Sequence, residues 1–227
     1  MAGVGEIWYF PLRARAEPLR FLCRYAKLIF SDRFIAAEQW SETKPTVPGG
    51  ALPMLLTPTG ERLGETADIA RHIASQAPKE LGLFPVEEKA AAHARLVFDL
   101  SNTRPLDLLN PLTNWFSAED SRAKQVEMIP MCVEAFKAAA EHFPGEGPFF
   151  GGDSPHYGDF GMFHVVSLLR GLNRDAFASL GPKWTTFYDR MAALPGVKEY
   201  LAERPQAGTG TVGRPGSLSF TEPLDSA

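Results

Sequence analysis

Apolar positions along the chain fall into two regimes. "EIWYF", residues 6–10, is β-rich, whereas in "EPLRFLCRYAKL" Leu19, Leu22, Cys23 and Ala26 recur at i, i+3, i+4 and i+7, one face of a helix. "FSDRFIAA" reads as a second strand. "SETKPTVPGG" follows as a turn-rich connection whose prolines and paired glycines exclude regular structure. "LPMLLT" predicts a third strand, "PTGE" a tight turn, and the residues around Leu63 a short fourth strand. "TADIARHIASQ" then carries Ile69, Ala70 and Ile73 on one helical face, with Thr66 placed to cap it. The order is β-α-β followed by β-β-α.

From Pro85 onward the period is helical throughout: "VEEKAAAHARLVFDLSNTR", "AEDSRAKQVEMIPMCVEAFKAAAEHF", "YGDFGMFHVVSLLRGL", "GPKWTTFYDRMAAL" and "GVKEYLAE" contain no credible strand. We therefore expect an α/β domain over residues 1–76, a linker over 77–85 and an all-α domain over 86–205. Residues 206–227, rich in Gly, Thr, Ser and Pro, read as a flexible tail with little to bury.

Composition narrows the function. The 227 residues are 44% hydrophobic and 22% charged, enough for a sizeable core, and the net charge of −4 with scattered cations gives no footprint for nucleic acid or an anionic membrane. Cys23 and Cys132 lie far apart without ligand spacing, and the five histidines form no metal pattern, so neither a disulfide framework nor a metal site is expected. No apolar run approaches the ~18 residues that span a bilayer, and no signal-peptide core is evident, so the expected compartment is the cytoplasm.

Several motifs, in order, resemble those of the soluble glutathione S-transferases. "YFPLRARAEPLR" is similar to the tyrosine-type signature of that family, "ALPMLL" to its proline-bearing strand, and "ETADIARHIA" to its second helix start. "GDSPHYGDF" resembles the buried helix start of the helical domain, and "FYDRMAALPGVKEYLAERP" the family's C-terminal ending. The resemblance reaches to about Pro205, is nearest in character to sigma-type members, and implies a thioredoxin-like β-α-β-β-β-α domain followed by an all-helical one.

The chemistry agrees with these residues. A thiol like that of glutathione ionises near pH ~8.5, so a site that uses the thiolate must stabilise the anion. A neutral phenol can donate its O–H to sulfur, and a guanidinium supplies positive potential. Tyr9 is thus the expected donor and Arg15 the source of field; without the signature, Tyr9 would read as a core aromatic beside solvated arginines. Arg13 reads as a solvent-facing or electrophile-side residue.

The resemblance further implies a cis bond before Pro53, with the Leu52 main chain pairing to the cysteinyl unit of glutathione. It implies capture of the γ-glutamyl end by Glu65 and Thr66 at a helix N-terminus, and of the glycine end by Trp40 and Lys44. Glu65 replaces the usual glutamine and Ala51 a frequent lysine. The electrophile is expected between Leu12, Arg13 and a helix holding Leu106 and Asn110. Asp99 and Asn102 fall where relatives face the neighbouring subunit's glutathione. Asp159 is structural, although His156 stands at its usual Ser or Thr partner position, so that Ser154 is the alternative cap. Cys23 reads as a core residue. The implied protein is a homodimeric enzyme without metal that conjugates glutathione to small hydrophobic electrophiles. A non-catalytic ligand-binding or crystallin-like protein and a glutathione-dependent isomerase remain the alternatives.

Overall fold

The computed structural model describes residues 3–225. The first domain comprises β1 (Gly3–Tyr9), α1 (Glu17–Tyr25), β2 (Ile29–Phe34), a short α2 (Trp40–Thr43), β3 (Met54–Leu56), β4 (Arg62–Leu63) and α3 (Thr66–Gln76). The strands form one sheet in the order β2-β1-β3-β4, with β1 parallel to β2 and antiparallel to β3. Such a central β1 is covered from both faces, which explains why Val4, Ile7 and Tyr9 are all buried. The helical face read from the sequence is the one α1 buries: Leu19, Leu22 and Cys23 have no exposed surface. The bond between Leu52 and Pro53 is cis, as expected, immediately before β3.

The start of α3 differs from the reading of Thr66 as its cap. Thr66 is the first helical residue, Glu65 occupies the capping position, and no side chain caps the turn. Glu65 sits at φ +57° and ψ 113°, a backbone state that side chains rarely adopt. Its carbonyl accepts from the amides of Asp68 and Ile69 at 3.0 Å, so the amides of Thr66 and Ala67 are the ones left without an intrahelical partner.

The second domain contains α4 (Glu88–Asn102), α5 (Arg104–Asn110), a π-helical turn over Pro111–Trp115, α6 (Ala118–Ala140), α7 (Tyr157–Leu172), α8 (Arg174–Ser179), α9 (Pro182–Ala192) and α10 (Val197–Glu203). Helix α7 is its axis, buried without interruption from Tyr157 to Val166. Gly158 lets it approach α4, since a Cβ there would lie 2.5 Å from the Ala94 carbonyl oxygen. Asp159 anchors its start by accepting the amides of Phe150 at 2.7 Å and His156 at 2.9 Å. The carboxylate therefore makes the helix-start contact itself, and Ser154 is not the cap.

The C-terminal tail departs from the reading of a segment with little to bury. Ala207, Val212 and Leu218 are buried, and a last short helix, α11 (Leu218–Thr221), forms within it. Main-chain bonds tie it to the helical domain, from Ala118 to the Gly216 carbonyl and from Arg214 to the Asn114 carbonyl. Small and polar residues suffice here because the segment folds back on itself: Gly208, at φ +84°, runs so close to Glu222 that a Cβ would meet that residue's backbone at 2.6 Å.

The two domains are joined by charge as well as by apolar packing. Glu17, in the first turn of α1 and fully buried, accepts from Arg204 at 2.6 Å, Arg20 at 3.1 Å and the Tyr200 hydroxyl at 3.1 Å. Arg20 also reaches Asp32 at 2.9 Å and the Leu12 carbonyl at 3.0 Å. Burial alone would push the Glu17 carboxyl up, but Arg204 and then Arg20 outweigh it and hold it at about 2.

Arg20 keeps Asp32 and Arg204 keeps Asp225, but removing the Glu17 charge leaves one buried guanidinium in excess, so Glu17→Gln should lose about 3–5 kcal/mol of unfolding free energy at neutral pH, measured by urea denaturation. In the parent protein the carboxylate's contribution, about 3 kcal/mol, is fully present above the ordinary carboxyl value of 4.5 and is lost as pH falls from there towards 2. The variant should lack that slope. At the strained position, Glu65→Gly should leave Tm equal or higher, because about 1–3 kcal/mol of relieved strain offsets roughly 1 kcal/mol of glycine entropy. Glu65→Val, branched at the same φ, should lower Tm in the same thermal scan.

Candidate active site

Tyr9 ends the central strand and directs its ring into the interior, with 5% of its surface exposed. Its hydroxyl oxygen accepts the main-chain N–H of Arg15 at 3.3 Å. That bond uses one lone pair of the oxygen and leaves the phenolic proton to be donated. Burial pushes the Tyr9 pKa up, against the opposing pull of the Arg15 amide and the charges of Arg15 and Arg20, so the group stays protonated at neutral pH.

Arg15 reaches Tyr9 through its backbone, while its guanidinium is spoken for by the other domain. Nη1 donates to the Asn102 carbonyl at 2.8 Å and Nη2 to Asp107 Oδ1 at 2.8 Å. Asn102 lends only its main-chain carbonyl to Arg15, and Asp99 pairs with Arg95 at 2.8 Å, which also holds Asp68 at 2.7 Å.

The remaining residues of the expected peptide groove follow β2, precede β3 and follow β4. Leu52 is half-buried beside the cis bond, and Thr66 heads α3 with its amide free. Trp40 packs edge-on to Phe10 with ring centroids 5.5 Å apart and covers a small cluster of Trp8, Ile35, Val47 and Met54. Its packing role is therefore established, whatever its indole N–H binds. Lys44 is exposed and lies across the Gly49–Gly50 turn, its Cε 3.3 Å from where a Gly50 Cβ would stand.

The four residues expected to line an electrophile pocket come from two places in the chain, Leu12 and Arg13 from the loop after β1 and Leu106 and Asn110 from α5. Leu106 is 1% exposed and belongs to the core, and Asn110 accepts the side-chain amide of Asn114 at 2.8 Å. Arg13 is not solvent-facing, because its guanidinium grips both oxygens of Asp225 at 2.6 Å and the Pro205 carbonyl at 2.6 Å. It borders two cavities, one of about 250 Å³ against α7 and the tail, and one of about 490 Å³ that Leu12, Phe34 and Val212 also line. The sequence reading missed this cluster of Glu17, Arg204 and Asp225; a glutamate ahead of a proline at the start of an apolar helix was its only local signal.

Neither thiol of the chain can serve as nucleophile. Cys23 and Cys132 are free and have no exposed surface, and burial pushes both thiols up, Cys132 to about 12. Among the described residues no group of three His, Cys, Asp or Glu side chains is arranged to hold a metal, and no helix is long and apolar enough to cross a membrane.

Comparison with known proteins bears on the family and the fold. The family "Glutathione S-transferase, C-terminal domain" matches residues 106–204. A glutathione S-transferase of Anopheles gambiae is 38% identical over 205 residues, covering 88% of this chain and 96% of the relative. The hematopoietic prostaglandin D synthase of Gallus gallus is 27% identical over 203 residues, with coverage of 88% and 96%. In structure, the glutathione S-transferase from Ascaris lumbricoides superposes with a TM-score of 0.72 at 22% identity, covering 88% of this chain and 97% of that one, which shows the shared fold. With a central strand ending in a buried tyrosine, a cis proline ahead of β3 and a relative of this identity along nearly its whole length, the chain belongs to the glutathione S-transferase family.

Proposed function

We propose that this glutathione transferase activates the thiol of reduced glutathione with the Tyr9 hydroxyl and delivers the thiolate to a small hydrophobic electrophile. The observation that carries the reading is the state of that hydroxyl: buried, protonated, and with its oxygen already held by the Arg15 amide. The donated O–H stabilises the thiolate, the thiol proton leaves to solvent, and the sulfur electron pair forms the new carbon–sulfur bond as a leaving group departs or a double bond is consumed. The Leu52 main chain next to cis-Pro53 pairs with the cysteinyl unit. The free amides at the head of α3 and the Thr66 hydroxyl take the γ-glutamyl carboxylate, Glu65 its ammonium group, and Trp40 and Lys44 the glycine end. Leu12 and Asn110 flank the electrophile. The protein works as a cytoplasmic homodimer.

A second reading, an isomerase that returns glutathione unchanged, draws support from the similarity to the avian prostaglandin D synthase. Net consumption of glutathione separates the two. A binding protein without turnover would show neither consumption nor isomerised product.

Tyr9→Phe deletes one hydroxyl and keeps the ring, so folding and glutathione affinity should change little. The bound thiol, followed by thiolate ultraviolet absorbance against pH, should return to near its free value of ~8.5. Conjugation at pH 6.5 should fall roughly 10- to 100-fold and recover partly as pH rises. Arg15→Leu should have the smaller effect, since the main-chain N–H that holds the Tyr9 oxygen survives it. An unchanged thiol and rate in Tyr9→Phe would make Tyr9 a core residue only. Light scattering at micromolar concentration should find a dimer; four residues before the cis proline, where some relatives insert an aromatic side chain into the partner subunit, this chain has Gly49, so the interface should be flat or polar.

A further inference from the structure

The loop between α2 and β3 carries two of the groups assigned to glutathione, Lys44 at its start and Leu52, ahead of the cis bond, at its end. It joins no strand and consists largely of two 3₁₀ turns, Lys44–Thr46 and Pro48–Gly50. From Lys44 to Gly50, Val47 is the one buried residue, seated in the small cluster with Trp8, Ile35 and Met54. A single apolar anchor fixes such a loop poorly, because ordering each residue costs more than one side chain returns.

Two further contacts come from β4 and the residue after it. Arg62 Nη1 donates to the Thr46 carbonyl at 2.6 Å. Gly64 lies against Pro48, where a Cβ would stand 3.3 Å from Pro48 Cβ and 3.4 Å from its carbonyl oxygen. Thr46 and Pro48 flank Val47, so the loop is held at three successive residues, two of them by this segment. The register pairs Arg62 with Leu56 of β3, and the chain runs from Gly64 straight into Glu65 and Thr66. The segment that presents the groups assigned to the γ-glutamyl end therefore also holds the loop that presents Lys44.

Lys44 is exposed, and an exposed ammonium gains little from a carboxylate in water unless its place is set beforehand. Ordering a free loop at the moment of binding would cancel that gain. Here the lysine stem already lies across the Gly50 turn, and the turn is tied to β4. We infer that Arg62 is a positioning residue for glutathione: through the Thr46 carbonyl it sets the loop from which Lys44 meets the glycine carboxylate, and so makes the chain prefer the tripeptide to a γ-glutamyl thiol that lacks glycine. The inference rests on the assignment of Lys44 to the glycine end and adds what fixes that residue in place. Its effect falls on affinity and leaves the activation of sulfur by Tyr9 untouched.

Calorimetric titration of the full chain with glutathione and with γ-glutamylcysteine, which lacks the glycine, tests the inference. The parent should bind glutathione about fivefold more tightly than the dipeptide, the scale of one exposed ion pair, and Lys44→Met should remove that preference. Arg62→Met should cut the preference below about twofold by weakening glutathione alone, with turnover at saturating glutathione unchanged. Gly64→Ala, which displaces Pro48 without altering a charge, should shift the preference in the same direction. An Arg62→Met protein that keeps the full preference, or that loses affinity for both thiols equally, would overturn the inference. A Gly64→Ala protein with the parent's preference would make the Arg62 charge the agent in place of the loop, and would overturn the positioning role. Lys44→Met without effect would instead overturn the assignment of Lys44 on which the inference rests.

Discussion

The buried charge of Glu17 is the constraint around which the two domains are arranged. It sits at the start of α1, where it meets Arg20 from the next turn of its own helix and both Tyr200 and Arg204 from the far end of the helical domain. A carboxylate in this setting is tolerated only if every partner arrives together, so the position of α10 on the first domain is fixed by hydrogen-bond geometry as well as by apolar contact. Arg20 extends the restraint to β2 through Asp32 and to the loop after β1 through the Leu12 carbonyl. That loop is the one that brings Arg15 to Tyr9.

The candidate chemistry inherits this rigidity. A donor aimed at a sulfur anion contributes most when its environment needs no rearrangement on charging. Tyr9 is fixed at the end of the central strand, and its oxygen is fixed by an amide whose own side chain is anchored across the domain boundary at Asn102 and Asp107. Through those two contacts the Arg15 guanidinium holds the loop against the helical domain.

Local patterns carried much of this to the sequence level and left the long-range parts illegible. The alternation and periodicity around Ile7, Leu19 and Ile73 are consequences of short-range geometry and were readable, as was the proline before β3. What could not be read depends on partners far apart in the chain: Arg13 with Asp225, Glu17 with Arg204, and Arg15 with Asn102. The tail misled for a related reason. Its glycines and serines signal freedom when taken alone, yet backbone bonds to Asn114 and Ala118 do not depend on side-chain identity. Thr66 was misassigned by one residue, because the strained backbone at Glu65 starts the helix without the side-chain cap that sequence rules look for.

The burial of both cysteines has a consequence for a member of a family that joins glutathione to electrophiles. Any molecule reactive enough to be captured by one thiolate is a hazard to every other thiol within reach. Cys23 and Cys132 are shielded twice over, by the absence of exposed surface and by a proton that burial makes hard to remove. The chain therefore presents such reagents with no competing sulfur nucleophile of its own, and resistance to self-modification by its own substrates comes as a by-product of the packing of α1 and α6.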